Sequence, residues 1–285
     1  AIADPSDVIT ITTQNKPGIE IIISGPKTDF IPTKAEKNTA GKAVLSYLNT
    51  INQKQGCIIK IEKGIPPGSG IGSSAASAAA AVVGINELMG NPLPLEDLLV
   101  HGMAGEAVAS GGFHADNIAP ALFGGMILIR SYDPLDILNL PVPKDLFSTA
   151  VLPDFVVNTK DARRMLPKRV PLKYAVAQAG NLAGFTLGLH KADFELLGRS
   201  MVDLFAEPVR AELIPAFHII QKTAMNNGAI GCGISGSGPA LFALSESEDV
   251  SRKVGTAMVD AFKKNGLNSI AYSSPIHKKH PEILD

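Results

Sequence analysis

The first apolar runs of the chain keep a period of two. Val8 to Thr12 alternates apolar and hydroxyl residues and Ile19 to Ile23 is β-branched, so both are expected strands. The Lys16-Pro17-Gly18 turn between them predicts a hairpin. The period then changes. Behind Asn38, a capping residue, the apolar positions Ala43, Val44, Tyr47, Leu48 and Ile51 fall at helical spacing, and Gly56 is expected to end that segment. Cys57 to Ile61 is a strand pattern and Gly64 to Gly72 a glycine-rich loop. Ser73 to Leu88 is alanine-rich enough for a buried helix. Leu95 to Ser110 predicts a further helix, with Glu96 and Asp97 at the positive end of its dipole.

Gly124-Gly125 interrupts the pattern before a buried-strand run, Met126 to Ile129. The proline-spaced segment Pro134 to Pro143 reads as a domain junction, which divides the chain into residues 1–145 and 146–285. The second half predicts strands at Thr149 to Leu152, Ala229 to Gly233, Ala240 to Leu244 and Leu267 to Tyr272. Helices are expected near Lys173 to His190, Ala211 to Asn226 and Val250 to Asn265. This order is that of an α+β fold.

Composition narrows the function. The chain has 285 residues, 45% of them hydrophobic, which is ample for a packed core. Lysine and arginine total 26 against 27 acidic residues, without a long run of either sign, so neither nucleic acid nor a membrane surface is an expected partner. The alanine run Ala75 to Ile85 is too short to span a bilayer, and no secretory signal is read at the start of the chain. Cys57 and Cys232 form no disulfide framework and suit a reducing, cytoplasmic setting. The six histidines, His101, His114, His190, His218, His277 and His280, show no paired metal-binding spacing.

The chemistry gathers at Pro66-Pro67-Gly68-Ser69-Gly70-Ile71-Gly72-Ser73-Ser74-Ala75-Ala76-Ser77, between a strand and a helix. Alternate glycines let backbone approach a ligand, and the helix start offers unpaired N–H groups to an anion. A P-loop would need lysine after the last glycine, and none is present. A dinucleotide fingerprint would need glycine at position 73, where serine stands. The bland alternative is a tight turn that lets the helix pack closely.

This segment resembles the phosphate-binding motif of the GHMP kinases, with Ile71 in place of the usual leucine. A second stretch, Gly233-Ile234-Ser235-Gly236-Ser237-Gly238-Pro239, resembles their C-terminal glycine motif. Three further segments are similar to the homoserine kinase branch: Glu106 to Pro120, Thr159 to Pro167 and Glu207 to Pro215. The resemblance implies an N-terminal domain with a left-handed βαβ unit, a ferredoxin-like C-terminal domain, and MgATP with L-homoserine as the ligands. It implies Ser74 and Glu106 as magnesium ligands, residues 66–76 as the ATP loop, and His114, Asn117, Arg163, Arg210 and Gly236 around the substrate. Asn117 stands where several relatives carry aspartate, so it is expected to orient the hydroxyl and not to take its proton.

Each role has a plain counterpart. Glu106 could be a solvated carboxylate, although Met103, Ala104, Ala107 and Val108 around it predict burial. One of Arg163 and Arg164 is expected to be a solvated helix charge, and the Ala-Arg pattern selects Arg163. Arg210 reads equally well as a surface charge. His114 could be a core histidine, and Asp116 is expected to cap a short helix beginning at Asn117. The family's first motif, similar to Ala-Asn-Leu-Gly-Pro-Gly-Phe-Asp, does not occur, and Ala1 to Pro5 resembles the stretch on the C-terminal side of that motif. The expectation is a chain that starts late by about two dozen residues at most and is poorly active as it stands. A mevalonate-type kinase, or a nucleotide-binding protein without turnover, is the alternative reading, and a homodimer is compatible with all three.

Overall fold

A computed structural model describes residues 1–277, 279 and 281–284. His280 and Lys278 lie outside the described residues. The chain opens with β1 (Val8–Gln14) and β2 (Ile19–Ser24), then α1 (Thr39–Thr50), β3 (Gly56–Glu62), α2 (Ser73–Leu88), α3 (Leu95–Ser110) and α4 (Ile118–Phe123). Asn38 caps α1 as expected, its side-chain oxygen accepting from Gly41 N. The expected hairpin does not form. β3 lies between β1 and β2, antiparallel to the first and parallel to the second. The turn at Lys16 therefore leads across the sheet, and Gly56 opens β3 where a side chain would collide with the Lys16 carbonyl. The parallel pair, joined through α1, makes a βαβ unit.

Helix α2 packs on β1 of this sheet, and α1 and α3 pack against α2 and against each other. Tyr47, Ile59, Ala78, Val82, Ile85 and Leu98 are buried in their common core. Burial of each large aliphatic side chain stabilises by about 1.5–3 kcal/mol. The small alanines of α2 let it run through the centre of the domain, which places its N-terminus at the glycine-rich loop.

The proline-spaced segment holds a strand. β4 (Met126–Tyr132) and β5 (Leu135–Leu140) form a two-stranded antiparallel hairpin. Met126, Leu140 and Val142 pack against Leu146, Leu189, Leu197, Leu244 and Ile276. There follow β6 (Phe147–Pro153), α5 (Thr159–Arg164), α6 (Leu172–Lys191), α7 (Phe194–Ser200), α8 (Glu207–Arg210), α9 (Phe217–Asn226), β7 (Gly231–Ile234), β8 (Leu241–Ser245), α10 (Glu248–Lys264) and β9 (Ser269–Pro275). The sheet order is β7-β8-β6-β9, antiparallel throughout, with α9 and α10 packed on it. The single helix expected over Ala211 to Asn226 is broken. A 3₁₀ turn occupies Ala211–Leu213, Pro215 follows, and Ala216 adopts a left-handed φ of 60° before α9 begins. Proline removes the N–H that a continuous helix would need.

Candidate active site

A cavity of about 450 Å³ opens between the two halves. One wall is the glycine-rich loop. Gly68, Gly70 and Gly72 all have left-handed φ, of 72°, 84° and 83°, conformations that other residues reach only at a cost. Pro67, Gly68, Ser69, Gly70, Gly72, Ser73 and Ser74 line the cavity. Pro66, Ile71, Ala75 and Ala76 are not among the lining residues. Ile71 packs instead toward Ala150, Leu152 and Ala240, and Ala75 is buried in the first core. The Ser69 hydroxyl is buried with no hydrogen-bond partner among the described residues. A buried hydroxyl without a partner is costly, so it is a group for a ligand to satisfy.

On the facing helix α3, Glu106 is buried, and Ser74 Oγ donates to its Oε2 at 2.6 Å. Burial pushes the Glu106 carboxyl above the ordinary carboxylate range. The Ser74 hydrogen bond opposes that shift, Asp116 adds to it and Arg163 counters it. A hydroxyl and a carboxylate beside an anion-binding loop are oxygen donors of the kind magnesium takes, with few protein ligands and the rest from phosphate and water. Among the described residues no cluster of three or more His, Cys, Asp or Glu could hold a metal unaided. The donor set therefore fits a magnesium ion that arrives with a nucleotide.

His114, Asn117, Arg163, Arg210 and Gly236 line the same cavity. Arg163 Nη1 lies 2.8 Å from His114 Nε2, which settles His114 as a cavity residue and not a core one. Arg164 is exposed and lies 3.4 Å from Asp161, the solvated partner of the pair. Arg210 Nη1 donates to Gly236 O at 2.7 Å, while its Nε is buried with no partner among the described residues. Asn117 stands against the end of the loop beside Gly72. The capping role expected for Asp116 is not seen. Its Oδ1 accepts from Asn117 N, the N-cap position of α4 is Asn117, and the Asp116 side chain lines the cavity.

Sequence reasoning passed over three groups. Phe30, Ile31 and Pro32 form an apolar stretch of wall near Asn38 and Thr39. They sit in an aperiodic loop, where an exposed aromatic was the one available signal. Thr159 and Ser237, which lie inside the resembling segments but carry no expected role there, add hydroxyls, 3.3 Å apart. Lys63 lies beneath the loop in a buried ion pair with Asp7. Burial lowers the Lys63 pKa and Asp7 holds it up. Neither residue belongs to a motif.

The model of the GHMP kinases N-terminal domain matches residues 38–125, and that of the GHMP kinases C-terminal domain matches residues 186–264. Homoserine kinase of Chlorobium phaeobacteroides is 41% identical, over all of this chain and 92% of its own length. The crystal structure of homoserine kinase from Cytophaga hutchinsonii superposes with a TM-score of 0.96 at 45% identity, covering 99% of this chain and 90% of its own. Mevalonate kinase of L. major, crystallised with R-mevalonate, superposes with a TM-score of 0.70 at 19% identity, over 95% of this chain and 86% of its own, and shares the fold alone. Among the described residues no helix is long and apolar enough to cross a membrane. The chain belongs to the GHMP kinases, on the branch that holds the homoserine kinases.

Proposed function

We propose that this protein is a cytoplasmic homoserine kinase, which transfers the γ-phosphoryl group of ATP to the side-chain hydroxyl of L-homoserine and gives O-phospho-L-homoserine for threonine synthesis. One observation carries the reading. The glycine-rich loop, the Ser74–Glu106 pair and two arginine forks face a single cavity in a chain 41% identical to a homoserine kinase along its whole length.

Phosphoryl transfer asks the protein for position and charge stabilisation more than for covalent chemistry. The loop and the start of α2 would receive the nucleotide phosphates, with residues 1–145 as the nucleotide-binding half and 146–285 as the half that completes the site. Ser74 and Glu106 would hold magnesium, which supplies neutralisation of the phosphate charge. Arg163 and Arg210 would grip the amino-acid carboxylate by paired N–H groups, with His114 and Gly236 fixing the two guanidiniums. Asn117 would hold the acceptor hydroxyl toward the loop. An amide takes up no proton near neutral pH, so the reading needs no general base at this position.

The test is ADP release by the protein with MgATP and, in turn, homoserine, mevalonate and shikimate. Turnover with homoserine in clear excess over the others is expected. A preference for mevalonate would overturn the assignment.

A further inference from the structure

The Asp7–Lys63 ion pair lies behind the glycine-rich loop, and none of the roles above uses it. Both side chains are almost fully buried, Lys63 at 3% and Asp7 at 1% exposure. A buried ion pair is weak evidence for stability, because packed apolar side chains often do as well without the desolvation cost. Its hydrogen bonds give it another meaning. The Lys63 ammonium donates to Asp7 Oδ2, to Ser73 O at 2.9 Å and to Ser77 Oγ at 2.9 Å, which engages all three of its protons. Asp7 Oδ1 accepts from Gly64 N at 3.1 Å and Ile65 N at 3.0 Å, and its Oδ2 accepts from Ser77 Oγ at 2.8 Å. Gly64 and Ile65 enter the loop; Ser73 and Ser77 leave it. Ser73 Oγ closes the ring on Ile65 O at 2.9 Å.

We infer that Asp7 and Lys63 are positioning residues, which set the distance and orientation between the two ends of the loop and so the place where its amides meet a nucleotide. The inference rests on the kinase reading above. The rival is direct contact, since Lys63 lines the cavity and could bind phosphate itself. The two make opposite predictions for Asp7, which is not among the lining residues. Under direct contact, neutralising Asp7 would free the ammonium and leave ATP binding intact or tighter. Under positioning, it loosens the loop and weakens binding.

The experiment is calorimetric titration of the protein with MgATP, with thermal melting and the KM for homoserine alongside. Wild type should bind. Asp7→Asn, and the double variant Asp7→Asn with Lys63→Met, should each bind ATP about tenfold more weakly, a change of about 1.4 kcal/mol. The KM for homoserine should stay unchanged. If Asp7→Asn melts too low to titrate, the double variant, which buries no unpaired charge, gives the same readout. Undiminished ATP binding in either folded variant overturns the positioning role. Failure of wild type to bind ATP would overturn the kinase reading instead.

Discussion

Ser235 Oγ donates a hydrogen bond to the carbonyl oxygen of Gly70 at 2.9 Å, joining residues 165 positions apart in the chain. Ala240 N donates to Ser69 O at 3.2 Å beside it. A Cβ on Gly70 would lie 2.6 Å from the Gly238 carbonyl. The two glycine motifs are therefore one structure. The second engages carbonyls of the first, so that the loop's amides remain for an anion.

Ser235→Ala tests this brace. The Gly70 carbonyl loses its side-chain partner, a change worth about 0.5–1.5 kcal/mol of stability. The KM for ATP should rise several-fold and that for homoserine should not move. Steady-state kinetics and melting together would show it; if both KM values stay at wild type, the brace is slack. Gly70→Ala should abolish ATP binding, since the added Cβ meets the Gly238 backbone, which cannot swing aside as a side chain could, at a left-handed φ.

Glu106 couples stability to function. Its folded-state pKa is raised by burial, so the protonated form favours folding. That contribution is full below the ordinary carboxylate range and lost as pH rises through the raised value. Above that raised value the ligand-free protein carries an ionised Glu106 at a cost. Glu106→Gln keeps an acceptor for Ser74 and removes the charge. Its melting temperature should exceed wild type at pH above the raised value, by about 2–4 °C for each kcal/mol relieved, and the gain should shrink as pH falls into the ordinary carboxylate range. Turnover should fall at every magnesium concentration. A lower melting temperature for Glu106→Gln would show that the carboxylate is stabilised by contacts other than Ser74.

Tyr47 offers a contrast, a buried polar contact remote from the cavity. Its hydroxyl donates to Asn86 Oδ1 at 2.9 Å, and Asn86 in turn holds Asn91 and Leu93 at the end of α2. Tyr47→Phe should cost about 0.5–1.5 kcal/mol in denaturant melts. Both KM values and kcat should stay at wild type; a change in kcat would show that α2 transmits strain to the loop.

The legible parts were those with local signals. Ser73–Leu88 and Leu95–Ser110 were readable because composition and period mark buried helices without reference to a partner. The path of β3 between β1 and β2 was not, since a turn sequence such as Lys16-Pro17-Gly18 suits either a hairpin or a crossing, and only sheet register decides. Glu106 could be placed because apolar neighbours on a helix predict burial. Asp7 and Lys63 could not, because their partners are 56 residues apart and neither residue type departs from an ordinary surface strand. Asp116 was misread for the same reason: a carboxylate before a short helix has a local role at hand, while its place in the cavity depends on α3 and α5.

Arg163 and Arg210 give the sharpest test of the substrate end. Each holds one N–H on a protein acceptor, His114 or Gly236, and keeps others for a ligand. A charge-assisted hydrogen bond contributes about 1.5–3 kcal/mol, so Arg163→Ala and Arg210→Ala should each raise the KM for homoserine roughly ten-fold to a hundred-fold. The KM for ATP should hold. Lysine at either place restores charge without the fork and should recover only part of the loss. The two variants should differ in one respect. Arg163 opposes the rise of the Glu106 pKa, whereas Arg210 is not among its causes. The acid limb of kcat should therefore move to higher pH in Arg163→Ala and stay in place in Arg210→Ala. If both variants instead raise the KM for ATP, the arginines serve the nucleotide and the substrate end of the cavity has been misassigned.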